Sequence, residues 1–144
     1  MTAKAKPARA SPGNWYLAFA EWRLGIQTAR TEWRTVKFFR RSASHTVIWT
    51  MVMRGHYLGQ PPTVKECITA ATCSRVTARK IIVTAESRGY FTVRPAADDQ
   101  RKKLIAPSAR CIADYEAMVG VFLKLADILG GRPGRGAAQG PRRK

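Results

Sequence analysis

Residues 72–101 read TCSRVTARKIIVTAESRGYFTVRPAADDQR, and their pattern decides the fold. Ser74 is a residue type that caps helix N-termini through its hydroxyl, and Gly89 is the type that ends helices in the left-handed conformation. Projected at about 100° per residue, Ala78, Ile81, Ile82 and Ala85 group on one side. Val76, Lys80, Val83 and Ser87 lie opposite, flanked by Arg79 and Thr77. The small and aliphatic residues predict a buried face, whereas the outer face opens with Arg75, Thr77, Arg79 and Lys80. Upstream, Thr63 follows Pro61-Pro62 and precedes Glu66 by the spacing of a capping box. TVKECITAA therefore predicts a short helix with Val64, Cys67, Ile68 and Ala71 inward. Two short helices separated by Thr72-Cys73-Ser74 form a helix-turn-helix.

Beyond Gly89, Tyr90-Phe91-Thr92-Val93-Arg94 is β-prone and alternating, and Lys102-Lys103-Leu104-Ile105 is a second strand-like run. Between them Pro95-Ala96-Ala97-Asp98-Asp99-Gln100-Arg101 makes a long polar tip, so the pair predicts a β-hairpin wing. A helix whose exposed N-terminal half carries Arg, Lys and Thr suits the major groove of DNA. There Arg75, Arg79 and Lys80 donate to guanine, Thr77 meets base or phosphate, and Val76 touches a thymine methyl. Ser74, Arg94, Gln100 and Lys102 complete the candidate contact set, and Arg101 at the wing tip suits a narrow minor groove. Acids beside phosphate repel it, so Asp99 is expected to orient Arg101. The competing interpretation of the same helix is an amphipathic segment with a solvated basic face.

Residues 63–108, about a third of the chain, resemble the winged helix-turn-helix of MarR-type bacterial regulators. The family pattern is a Leu-Ala helix, a turn, a Ser-initiated recognition helix ending in Arg-Gly, and a wing with an Asp-x-Arg signature. It maps here onto Cys67-Ile68, Ser74, Arg88-Gly89 and Asp99-Gln100-Arg101. Cys67, Ala71 and Ala85 depart from the usual leucines, and the N-terminal half is richer in Trp and Arg than usual. The resemblance implies an obligate homodimer, with N- and C-terminal helices intertwined, on a pseudo-palindromic operator in double-stranded DNA.

The flanks agree. Trp15, Phe19, Trp22, Ile26, Ala29 and Trp33 recur at helical spacing after Asn14, a candidate N-cap. Ser44 opens a second helical run with Val47, Ile48, Met51 and Val52 on one face and Gly55 near its end. Residues 109–129 carry a wide stripe of Ile112, Tyr115, Val119, Phe122, Leu123, Ala126 and Leu129. So much apolar helix surface in a small chain predicts packing against a second subunit. The expected organisation is a disordered basic arm at 1–13, dimerising and supporting helices at 14–60, and the winged helix-turn-helix at 61–108. A dimerisation helix at 109–129 and a disordered basic tail at 130–144 complete it. The fold class is mainly α, with one small β-hairpin.

Composition points the same way. The 144 residues hold 26 Lys+Arg against nine Asp+Glu, a formal charge of +17, while 45% of residues are hydrophobic. A chain that folds yet carries this excess needs a polyanionic partner, and nucleic acid is the first candidate. No segment approaches the roughly 18 apolar residues of a membrane span, and the first residues lack the apolar core of a signal peptide. A cytoplasmic protein is expected. Cys67, Cys73 and Cys111 have no metal spacing and fit reduced core thiols. His45 and His56 are too far apart for a helix-borne metal pair, so no catalytic residue, metal or cofactor is expected. His56 and Tyr57 are candidates to line a small-molecule effector pocket, against ordinary capping or packing. The alternative to a sequence-specific regulator is an architectural or protein-interaction winged helix that coats nucleic acid without sequence choice.

Overall fold

The computed structural model describes residues 12–28 and 33–129. Among them the order is α1 (Pro12–Thr28), α2 (Arg34–Phe39), α3 (Ala43–Leu58), α4 (Val64–Ala70), α5 (Arg75–Ser87), β1 (Phe91–Pro95), β2 (Lys103–Pro107) and α6 (Ala109–Leu129). They fall into two compact units, one within Thr31–Tyr115 and one made by α1 with the part of α6 from Glu116 onward.

The core of the first unit forms around Phe39. Its ring stacks on Trp49 and on Phe91, with centroids 5.0 and 5.1 Å away, and meets Phe38 edge-on at 4.8 Å. Val36, Ile48, Val52, Met53, Cys67 and Ile105 seal the same interior. Phe38 and Phe39 lie in KFFRRS, a stretch whose charge suggests surface; six residues of it and its upstream neighbours instead form α2, which turns both rings inward. Trp33 accordingly sits at the N-cap position of α2 and does not extend the stripe of α1, which ends at Thr28. Ala29 lies outside the described residues.

Helix boundaries follow capping chemistry. Ser42, not Ser44, caps α3, its hydroxyl accepting from the His45 N–H. Gly59, with φ 71°, takes the left-handed position after α3. Gly55 is instead buried inside the helix, where an added Cβ would come within 2.6 Å of Pro62 Cδ and 2.7 Å of the Gln60 carbonyl oxygen. Only a glycine lets the 60–62 segment pass so close. That approach matters because Ile105 N–H donates to the Pro62 carbonyl at 2.9 Å and Thr63 bridges Leu104, attaching the start of α4 to the outer side of β2. β1 and β2 pair antiparallel, with Val93 opposite Ile105 and Arg94 opposite Leu104.

In the second unit Trp15, Phe19 and Trp22 pack around Phe122 with centroids 5.2–6.0 Å apart, and Trp22 Nε1 donates to the Met118 carbonyl at 2.9 Å. α1 begins at Pro12, so Asn14 lies in its first turn and is not its cap, and Pro12 and Gly13 belong to the helix rather than to an arm. The remainder of residues 1–13, and all of 130–144, lie outside the described residues.

Candidate nucleic-acid interface

The exposed face of α5 is built from its capping chemistry outward. Ser74 Oγ accepts from the Thr77 N–H at 3.1 Å and donates to Thr77 Oγ1 at 3.0 Å, satisfying one orphan donor of the first turn. Thr63 and Glu66 close the reciprocal capping box of α4, at 3.0 and 2.9 Å. The turn between the helices is tied down by a side chain from α3: the buried Ser44 hydroxyl accepts from the Thr72 N–H at 3.1 Å and lies 3.0 Å from Thr72 Oγ1. Ala78, Ile81, Ile82 and Ala85 are buried, which leaves Arg75, Val76, Thr77, Arg79 and Lys80 in solvent. Val76 is 78% exposed, a valine that no folding requirement keeps at the surface. At the far end Gly89 adopts φ 81°, and Tyr90 N–H returns to the Ala85 carbonyl at 2.9 Å, so the chain turns directly into the wing.

The wing tip is ordered by local bonds. Ala96 N–H donates to Lys102 O, and Lys102 N–H to Asp99 O. The Asp99 carboxylate accepts from the Arg101 N–H at 3.0 Å and stands 3.6 Å from Arg101 Nε. Asp99 is partly sheltered while the Arg101 side chain is 93% exposed, so the acid faces the loop and the guanidinium faces out.

Between α4, α5 and the wing lies a groove of about 590 Å³ that brings together Arg75, Arg79, Arg101 and Lys102. Lys65 and Lys103 join them there, with Glu66 engaged in its capping box; sequence reasoning missed both lysines. Their register on α4 and β2 offers no signal, because the groove exists only once Thr63 bridges Leu104. Thr77 and Lys80 line a neighbouring cleft of about 200 Å³ with Arg41 and His45, again a pairing with residues far off in sequence. Arg94 and Gln100 are exposed on the wing but line neither. His56 and Tyr57, at the end of α3, are exposed and meet edge to face at 4.9 Å; Tyr57 also lies 6.2 Å from Tyr115.

Titration separates packed groups from available ones. Burial pushes the Cys67 thiol up to about 12 and the Cys111 thiol up to about 11, so both stay protonated and unreactive near neutrality. His45 is held below its ordinary value by burial and by the Arg41 charge. Its Nδ1 shares a 2.7 Å hydrogen bond with the Ser42 hydroxyl, the donor being set by the imidazole tautomer. Among the described residues no group of His, Cys, Asp and Glu could hold a metal ion, and no helix is long and apolar enough to cross a membrane.

No protein-family model and no curated protein matches the chain. Solved structures do. A MepR variant from S. aureus bound to an oligodeoxyribonucleotide superposes with a TM-score of 0.56 at 12% identity, covering 89% of this chain and 87% of that one. The transcriptional regulator Tm0710 from Thermotoga maritima gives 0.55 at 14% identity, over 88% and 82% of the two chains. This is the MarR-type winged helix-turn-helix fold. NadR in complex with 4-hydroxyphenylacetate shares it, with a TM-score of 0.53 at 14% identity over 89% of this chain and 83% of that one. On the MarR-type fold of this chain, α4 and α5 are the helix-turn-helix and β1–β2 the wing.

Proposed function

We propose that this protein is a MarR-type transcription regulator that binds double-stranded DNA as a homodimer, with α5 in the major groove and Arg101 in the minor groove. The observation that carries the proposal is the groove between α4, α5 and wing, where Arg75, Arg79, Arg101, Lys102, Lys65 and Lys103 converge beside a capped, outward-facing helix N-terminus. Arg75, Arg79 and Lys80 read base edges with Val76 and Thr77, while Ser74, Arg94, Gln100 and Lys102 meet backbone phosphates. Asp99 positions Arg101 through the bonds described above. MepR, on the same fold, is known bound to an oligodeoxyribonucleotide.

Dimerisation follows from the α1–α6 unit, which leaves Tyr16, Leu17, Phe19, Val121 and Ile128 exposed. A second copy would cover these residues and space two α5 helices about one DNA turn apart. NadR binds 4-hydroxyphenylacetate, and His56, Tyr57 and Tyr115 are the residues we assign to a small-molecule effector here. The activity proposed is binding alone.

Selection of bound sequences from random duplex DNA tests the proposal: it should return a palindrome with fixed half-site spacing. Salt titrations of the selected and a random duplex should then separate, because base contacts persist when counterion release is suppressed. Equal affinity for both duplexes, lost in parallel as salt rises, would instead indicate an architectural protein that coats DNA without sequence choice.

A further inference from the structure

A second basic concavity, of about 480 Å³, opens at the C-terminal end of α5. Five cations line it: Arg34 and Lys37 from α2, Arg41 just beyond, Arg88 at the end of α5, and Arg110 in the first turn of α6. Among the described residues no carboxylate lines it. Its floor is made by Phe38 and Tyr90, both buried and both anchored in the aromatic core. The Arg41 and Arg88 guanidiniums lie over the Phe38 ring, 5.1 and 5.2 Å from its centroid, which holds them in place before any ligand arrives. Arg110 occupies the positive end of a 21-residue helix whose first turn contains no acid, so its charge adds to the helix field instead of opposing it.

We infer that this pocket binds a compact small-molecule polyanion carrying two or more phosphate groups. Five like charges around one opening raise a field that only an anion relieves, and a single phosphate leaves most of it uncompensated. The volume falls within the usual range for small-molecule sites, about 300–1,000 Å³. Through Arg41 and Phe38 the pocket adjoins the cleft of Thr77 and Lys80, but Arg88 and Arg110 set it apart from the groove of Arg75 and Arg79. Arg75 opens α5 and Arg88 follows its last residue, and a helix of 13 residues is about 20 Å long.

Calorimetric titration of the full chain with inorganic pyrophosphate, without DNA and at about 150 mM salt to suppress diffuse attraction, tests the assignment. The expected result is one site per chain whose affinity falls about tenfold or more in Arg88→Gln/Arg110→Gln, and less than about twofold in Arg75→Gln/Arg79→Gln. Arg34→Gln/Lys37→Gln carries the same expectation as the first pair should that variant fail to fold by circular dichroism. Equal losses in the pocket and α5 variants, or pyrophosphate binding that survives the pocket substitutions, would overturn it. So would a pocket variant that loses duplex affinity while keeping pyrophosphate. Because the titration contains no DNA, failure of the regulator proposal leaves its outcome unaffected.

Discussion

The two units of the chain treat their large side chains in opposite ways. In the Thr31–Tyr115 unit Phe39, Ile48, Met53 and Ile105 have no solvent exposure, and its exposed apolar side chains, Tyr57, Leu58, Val76 and Val83, lie outside that closed core. In the α1–α6 unit the aromatic group around Phe122 is only half covered: Phe19 is 50% exposed, Leu17 46% and Tyr16 75%. The first unit closes a core with its own residues and is free to present charge. The second carries an apolar face of the kind that homodimer interfaces bury. A winged helix with a closed core, joined to helices with an open apolar face, fits the proposal of a DNA reader whose spacing is set by a partner subunit.

Substitutions test that contrast. Phe39→Ala should cost about 3–5 kcal/mol in denaturant unfolding, since a sealed aromatic leaves a cavity. Phe19→Ala should cost far less in dilute protein and should shift sedimentation from dimer to monomer. Equal costs at low concentration would break the distinction between the units. Next come the glycines. Gly55→Ala should lose about 1–3 kcal/mol, because the methyl meets Pro62 and the Gln60 carbonyl. Gly25→Ala and Gly120→Ala, with no atom within 4 Å of the added Cβ in this chain, should be neutral or gain up to about 1 kcal/mol from helix propensity. Destabilisation at either position, seen only at dimer-forming concentrations, would place the second subunit's close approach there.

Binding gives a third contrast. Arg75→Ala or Arg79→Ala should weaken binding to a selected duplex by about 1–3 kcal/mol and relax its sequence preference, measured by competition against single-base variants. Lys124→Ala in the other unit should change only the salt dependence. The smallest effect concerns pH. His45 has a lowered folded pKa, so below about 6.5 the unfolded chain binds the extra proton and stability falls as pH drops. His45→Gln should flatten the difference between urea midpoints at pH 7.5 and 5.5; an unchanged slope would assign it elsewhere.

Much of the helix-turn-helix was legible because its signals are local. The Thr63–Glu66 box, the Ser74 cap, the Ala78–Ile81–Ile82–Ala85 stripe and the left-handed Gly89 all act within one or two helical turns. A cap or a 3.6-residue period therefore fixes its own outcome wherever the segment lies. What misled was also local. Ser44 resembled a cap while its hydroxyl was needed by Thr72, and Gly55 resembled a helix end. Tertiary structure alone decided that Lys65 and Lys103 join Arg75, Arg79 and Arg101, and that five cations from separate segments share one pocket. Those groupings require the Pro62–Ile105 and Phe39–Phe91 contacts, which join residues distant along the chain. Only packing of the finished core holds such contacts together, so no period or cap records them.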